Sequence, residues 1–112
     1  MAMAAQSSGG SLKYAEKFAH RDSHLNSIRC ADFNHSGSFL ATGSDDNSLK
    51  IWSCSDGSLH FEIVGHAPVL SIRWTADPLV LVAGFEDNLL VTIVISYDRV
   101  RFFVSPHPKF LN

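Results

Sequence analysis

A pattern that returns after 41 residues sets the first limit on what this chain can fold into. Phe33 returns as Trp74, Gly43 as Gly84, Asp46 as Asp87, Leu59 as Val100 and His66 as His107. Five coincidences at one offset are hard to obtain by chance. His24 and His66 stand 42 apart, because the Leu25-Asn26-Ser27 loop before Ile28 is matched only by Ala67-Pro68 before Val69, a deletion of one loop residue. A repeat of this length is one supersecondary unit that buries its apolar face against its siblings, and fewer than about three copies do not usually fold alone.

Each repeat reads as four short strands. Turn signals fall roughly every 8 to 12 residues, with β-branched and aromatic residues between them, and no window carries the three-to-four-residue periodicity of an amphipathic helix. The first repeat is expected to form strands over Ile28 to Phe33, Phe39 to Ser44, Ser48 to Trp52 and Leu59 to Val64, turning at His35-Ser36-Gly37, Asp45-Asp46-Asn47 and Ser55-Asp56-Gly57. The second repeats the order over Val69 to Trp74, Leu79 to Phe85, Leu90 to Ile95 and Val100 to Val104, with turns at Ala76-Asp77-Pro78, Glu86-Asp87-Asn88 and Ser96-Tyr97-Asp98. Leu90 to Ile95 is apolar on both faces, which suits a strand between two layers. Leu12 to Phe18 alternates and is a candidate outer strand of a preceding unit. The expected division is a disordered tail over 1–11, two units within 12–105 (about 24–64 and 65–105), and a tail over 106–112 that opens a third repeat with Pro106-His107-Pro108.

Composition excludes several functions. Of 112 residues, 46% are hydrophobic and 18% charged, as in a globular domain, and the formal net charge is −2. The charges are interspersed, so no basic stripe awaits a phosphate backbone and no polybasic segment awaits anionic lipid. Neither nucleic acid nor membrane is therefore expected as a partner. The longest apolar runs are strand-sized, far below the roughly 20 residues of a membrane-spanning helix. The opening residues have neither the basic start nor the apolar centre of a secretory signal, so an intracellular location, cytoplasmic or nuclear, is expected. Cys30 and Cys54 have no Cys-x-x-Cys spacing and read as free thiols.

Through His24, Leu40-Ala41-Thr42-Gly43-Ser44-Asp45-Asp46 and Ser48-Leu49-Lys50-Ile51-Trp52, the chain resembles the WD40 repeat family. The resemblance implies an all-β fold: two four-stranded antiparallel blades of an incomplete β-propeller. It also implies that His24, Thr42, Asp46 and Trp52 form the family's hydrogen-bonded tetrad; Ser53 stands where the family's closing Asp would be. The chemistry is intelligible without the family. Asp46 can accept from one ring nitrogen of His24, the other nitrogen can meet the Thr42 hydroxyl, and that hydroxyl can accept from the Trp52 indole. In the second repeat Ala83 replaces Thr42 and Ile93 replaces Trp52. Only a partial tetrad, a pair of His66 and Asp87, remains open there, and packing by Trp74, Phe85, Leu90 and Phe102 is expected to replace the rest.

Two sharper readings compete with a structural tetrad. Asp46, His24 and Thr42 in series look like a hydrolase triad, but the hydroxyl is engaged by an indole, and the sequence has no Gly-x-Ser-x-Gly elbow and no evident oxyanion donors. His20, His24 and Cys30 could serve zinc in a small zinc-dependent hydrolase, yet His24 is already committed and the histidines would lie on a loop. No catalytic residue, metal or cofactor is therefore expected. Propellers bind partners mainly on the face carrying the loops before the inner strands and between the second and third strands. Those loops hold Arg21, Asp22, Leu25, Ala67, Asn47 and Asn88, together with the candidate partner-binding residues Asn26, Asp45, Pro68 and Glu86. Asp45 and Glu86 each precede the inward-turned Asp and are expected to point outward.

The function expected is a non-enzymatic scaffold for protein or peptide ligands inside a multi-subunit complex. A closed propeller needs about four to eight blades. The chain is accordingly expected to be part of a longer protein, a truncated product with no independent function, or a unit that assembles in several copies. Its exposed blade flanks favour self-association.

Overall fold

The computed structural model describes Ala19, residues 23–95 and residues 100–106, with the side chains of 102 and 104–106 outside the description. Eight strands follow in order: β1 Ile28–Phe33, β2 Phe39–Ser44, β3 Ser48–Ser53, β4 Leu59–Val64, β5 Val69–Trp74, β6 Val80–Phe85, β7 Leu89–Ile95 and β8 Val100–Pro106. They form two four-stranded antiparallel sheets, β1-β2-β3-β4 and β5-β6-β7-β8, each a meander. The chain is all-β, with no helix among the described residues. Strand ends differ from the sequence expectation by one residue at β3, β6 and β7, while β8 runs on through Pro106 into what was expected to be a tail. The expected strand at Leu12 to Phe18, the turn at Ser96-Tyr97-Asp98, and His20 and His107 lie outside the described residues.

Aspartates organise the hairpins. Asp46, Asp56, Asp77 and Asp87 each accept from the amide two residues on, at 2.8, 3.0, 3.0 and 3.4 Å respectively, the Asx turn that lets a short polar side chain replace a backbone bond. Asn47 and Asn88 follow Asp46 and Asp87 at φ 72° and 70°, a left-handed conformation that Asn tolerates better than most residues. The turn is thus copied between blades down to its least favourable dihedral.

Each sheet has two faces that alternate along every strand. The downstream face of the first blade carries Cys30, Ala41, Leu49, Ile51, Phe61 and Ile63; the upstream face of the second carries Val69, Ile72, Leu81, Ala83, Val91, Ile93 and Ile95. These two faces pack together into one core cluster. Among the described residues, the strand expected to be sandwiched is covered on the side of Val91, Ile93 and Ile95, which are buried, while Leu90 is 41% exposed. Leu90, expected to support the second blade's core, points away from it. Phe85 and Trp74 do join the core.

Three contacts fix the angle between blades. A Cβ on Gly43 would lie 2.5 Å from Val69 Cγ1 and 2.8 Å from Cys30 Sγ, so only glycine lets β5 approach this closely. Asp32 accepts from the Trp74 amide at 3.0 Å through its carboxylate, and from the Trp74 indole at 2.7 Å through its backbone carbonyl. Asn34 donates to the Pro78 carbonyl at 3.0 Å. Neither Asp32 nor Asn34 stands out in the sequence, because their partners lie more than 40 residues away.

The repeat is structurally faithful through three strands and fails in the fourth. Pairing of β1 with β2 and of β2 with β3 recurs 41 residues on, including bulges at Arg29 and Leu70. In the outer strands Ile51 pairs with Phe61, whereas Thr92, its counterpart, pairs with Phe103. Leu59 pairs with Trp52, but Val100 pairs with Ile95, so the sequence match of Leu59 to Val100 is not a structural equivalence. A one-residue slip exchanges the two faces of a strand, and here it places Phe103 where Phe61 sits.

Candidate functional site

The loop before β1, the end of β2 and the start of β3 meet at one end of the first blade and bring four predicted residues together. His24 Nδ1 lies 3.1 Å from Asp46 Oδ2 and 2.9 Å from Ser48 Oγ, and His24 Nε2 lies 2.7 Å from Thr42 Oγ1. Trp52 Nε1 donates to the same Thr42 oxygen at 2.9 Å. The indole can only donate and the ionised carboxylate can only accept, so Nδ1–H faces Asp46, and the neutral imidazole's Nε2 then accepts from the Thr42 hydroxyl, which itself accepts from Trp52. The polarity of the chain is thereby set from Trp52 to Asp46.

Asp46 is the best-served group of the set. Besides His24, it accepts from the Ser48 hydroxyl at 2.6 Å, the Ser48 amide at 2.8 Å and the Leu25 amide at 2.9 Å. Burial alone would push its carboxyl up; the Ser48 hydroxyl, the Leu25 and Ser48 amides and His24 outweigh that and hold it well below the ordinary carboxylate range. Ser44 adds a further tie, donating to the Asn26 carbonyl at 3.2 Å and accepting from the Asp46 amide at 3.0 Å. Sequence reading missed Ser44 and Ser48. The available signal was their near adjacency to Asp46 in a tight turn, where serine hydroxyls commonly bond to the backbone.

The second blade does not bring His66 and Asp87 together. Both are exposed, no hydrogen bond or ion pair joins them, and Asp87 is occupied by the Leu89 amide. With Ala83 and Ile93 buried where Thr42 and Trp52 would be, nothing polar draws the imidazole inward. The position is held instead by Phe85, whose ring would be 2.8 Å from a Cβ on Gly65.

The triad and metal arrangements fail on geometry. Both nitrogens of His24 are spent and the Thr42 hydroxyl is engaged by Trp52. Cys30 lies on the opposite face of the sheet against the Val69 carbonyl at 3.8 Å, and burial, only partly offset by the Gly43 backbone bond, pushes its thiol up, away from the thiolate a metal needs. Cys30 and Cys54 are free.

The loops that carry the four candidate partner-binding residues are held by one repeated bond, in which Ser27, beside Asn26, is the equivalent of Pro68. The Asp45 amide donates to the Ser27 carbonyl and the Glu86 amide to the Pro68 carbonyl, each at 2.9 Å. One bond, repeated in both blades, holds the loop before the inner strand beside the loop between the second and third strands. Asn26 and Glu86 are exposed and Pro68 half-buried. Asp45 departs from expectation: its carboxylate is 21% exposed and lies 2.8 Å from Arg29 Nε, so it is tied to the bulge residue of β1.

This geometry agrees with the comparisons to known proteins. The pattern of the WD domain, G-beta repeat, matches residues 16–53 and 57–91. The chain belongs to the WD40 repeat family, whose propellers serve as interaction scaffolds. It is 39% identical over 71 residues to ribosome biogenesis protein bop1-A of Xenopus laevis, covering 62% of this chain and 10% of that protein. To the WD repeat-containing protein 26 homolog of Arabidopsis thaliana it is 37% identical over 87 residues, covering 73% of this chain and 15% of the relative. A chain in the crystal structure of the mitotic checkpoint complex superposes with a TM-score of 0.68 at 21% identity, over 82% of this chain and 29% of that one. The chain thus spans a small part of the relatives it matches.

Proposed function

We propose that this segment is a non-enzymatic docking platform for protein or peptide ligands within a multi-subunit complex. The observation that carries the reading is the repeated loop clasp, Asp45 to Ser27 and Glu86 to Pro68, which holds equivalent pairs of polar loops at the same end of successive blades. Asn26, Asp45, Pro68 and Glu86 are the residues that meet the ligand. His24, Thr42, Asp46 and Trp52 are structural: they fix the first of these loop pairs to the sheet. Proteins are favoured over nucleic acid and lipid because the chain carries a net charge of −2 with both signs interspersed. Two free thiols fit a reducing compartment, the cytoplasm or nucleus. The names of the relatives in ribosome biogenesis support work inside an assembly.

The test is affinity purification of the protein carrying Asn26→Ala and Glu86→Lys together, both at exposed positions. Loss of specific co-purifying partners, with an unchanged thermal unfolding midpoint, is expected. Retention of every partner by a normally folded double variant would sink the assignment.

A further inference from the structure

We infer that Asn26 is a site of spontaneous covalent modification, at which the amide nitrogen of Ser27 displaces ammonia from the Asn26 side chain and water reopens the ring to aspartate or isoaspartate. The chemistry stands on the geometry of the loop before β1; only its consequence for partners rests on the scaffold reading.

Such a reaction requires the main-chain nitrogen that follows an asparagine to reach the side-chain carbonyl. The loop brings the two together. The Ser27 amide donates to Oδ1 of Asn26 itself at 2.7 Å, so nucleophile and carbonyl already meet across the five-membered ring that has to close. The Asn26 backbone carbonyl accepts from the Ser44 hydroxyl at 3.2 Å, which draws electron density from the Asn26–Ser27 peptide and makes its N–H a stronger acid. The Ser27 carbonyl accepts from the Asp45 amide at 2.9 Å, so the reacting peptide is held from both sides. Both residues are exposed to the water that completes the reaction, and the short Ser27 side chain leaves the approach uncrowded.

The other described asparagines lack this arrangement. Asn47 is also followed by a serine, yet the Ser48 amide is turned onto Asp46 Oδ1 at 2.8 Å. The Leu89 amide after Asn88 likewise faces Asp87, at 3.4 Å. Asn34 is 3% exposed, with Oδ1 accepting from the Phe39 amide at 3.0 Å and Nδ2 donating to Ser38 Oγ at 2.9 Å. The second blade has no copy of the site, because Pro68 stands where Ser27 does and has no N–H to give up.

In the first step the bond from the Ser27 nitrogen to Asn26 Cγ forms and the Cγ–Nδ2 bond breaks. The proton lost from Ser27 ends, through water, on the departing nitrogen, which leaves as ammonia. Water then opens the succinimide: cleavage at Cγ gives aspartate, and cleavage at the main-chain carbonyl gives isoaspartate. Either product places a new carboxylate on a loop proposed to meet the partner. Isoaspartate also lengthens the main chain by a methylene just before the carbonyl that the Asp45 amide holds.

Peptide mapping by mass spectrometry of the protein aged at mildly alkaline pH tests the inference, with Asn47-Ser48 as an internal reference of the same sequence chemistry. In the folded protein Asn26 should convert about tenfold faster than Asn47, with isoaspartate among the products, because only its geometry is close to attack. In urea the two rates should converge. Ser27→Pro, which copies the second blade, should abolish conversion at Asn26. Equal folded rates at the two sites, an unreactive Asn26, or conversion that persists in Ser27→Pro would overturn it. Unaltered partner binding by Asn26→Asp would count against the docking role of the loop and leave these rates as they are, so the two proposals fail separately.

Discussion

The two blades share strand order, Asx turns and the pairing of their first three strands, yet they secure their ends by different means. The first uses a polar chain from Trp52 through Thr42 and His24 to Asp46. The second uses Phe85 against Gly65, and buried Ala83 and Ile93. The difference follows from what each upstream face touches. That of the second blade is covered by apolar side chains of the first, so carbon is a better neighbour there than an imidazole needing partners. On the first blade the same face carries the polar network, with Lys50 5.9 Å over the Trp52 ring.

Breaking the blade contact should show the largest effect. Gly43→Val forces a side chain into Val69 and Cys30 and should lower stability by about 3 kcal/mol, whereas Gly84→Ala, with only Ser71 to displace, should cost less than about 1 kcal/mol. Urea midpoints at one fixed protein concentration would show the contrast, and equal losses would mean that the glycine gap does not set the approach.

Removing a member of the polar chain comes next. Trp52→Phe or His24→Ala strands a buried partner and should cost about 2 kcal/mol. His66→Ala, at an exposed position with no bond to lose, should change stability by less than about 0.5 kcal/mol.

Acid sharpens the same contrast. The Asp46 carboxyl is held below its ordinary 3.8 in the folded chain, so its contribution is complete above that pH and is lost as pH falls further toward the folded value. Amide protection in β1 to β3, taken relative to the intrinsic exchange rate at each pH, should therefore fall below about pH 4, and Asp46→Asn, less stable at neutral pH, should show no such window. Acid exchange identical in the two proteins would remove Asp46 as the cause.

Smaller effects belong to the ties between blades and at their edges. Asp32→Ala removes the acceptor for the Trp74 amide and should cost about 1 kcal/mol. Glu62→Gln weakens a 3.5 Å ion pair with Lys50 and should fall below about 0.5 kcal/mol in a thermal melt.

Much of the local site was legible in the sequence because its members lie within one repeat. His24, Thr42, Asp46 and Trp52 fall on segments whose strand character and turn chemistry are locally encoded, and Asp46 beside Asn47 is a turn signal by itself. The ion pair of Asp45 was not legible for a related reason: a bulge, invisible in the alternation of residues, aims Arg29 at its carboxylate.

The sequence by itself determined eight strands, the 41-residue period of their first three members in each blade, and the residues of the polar chain, since these depend on alternation and on turn residues within a few positions of each other. Only the tertiary structure decided which face of each sheet is covered, that Leu90 turns outward while Ile93 turns in, that Asp32 reaches Trp74, and that β8 slips by one residue. The physical reason is that a strand with apolar residues on both faces has no preferred register of its own. Its pairing and its buried side are settled by the neighbour it packs against.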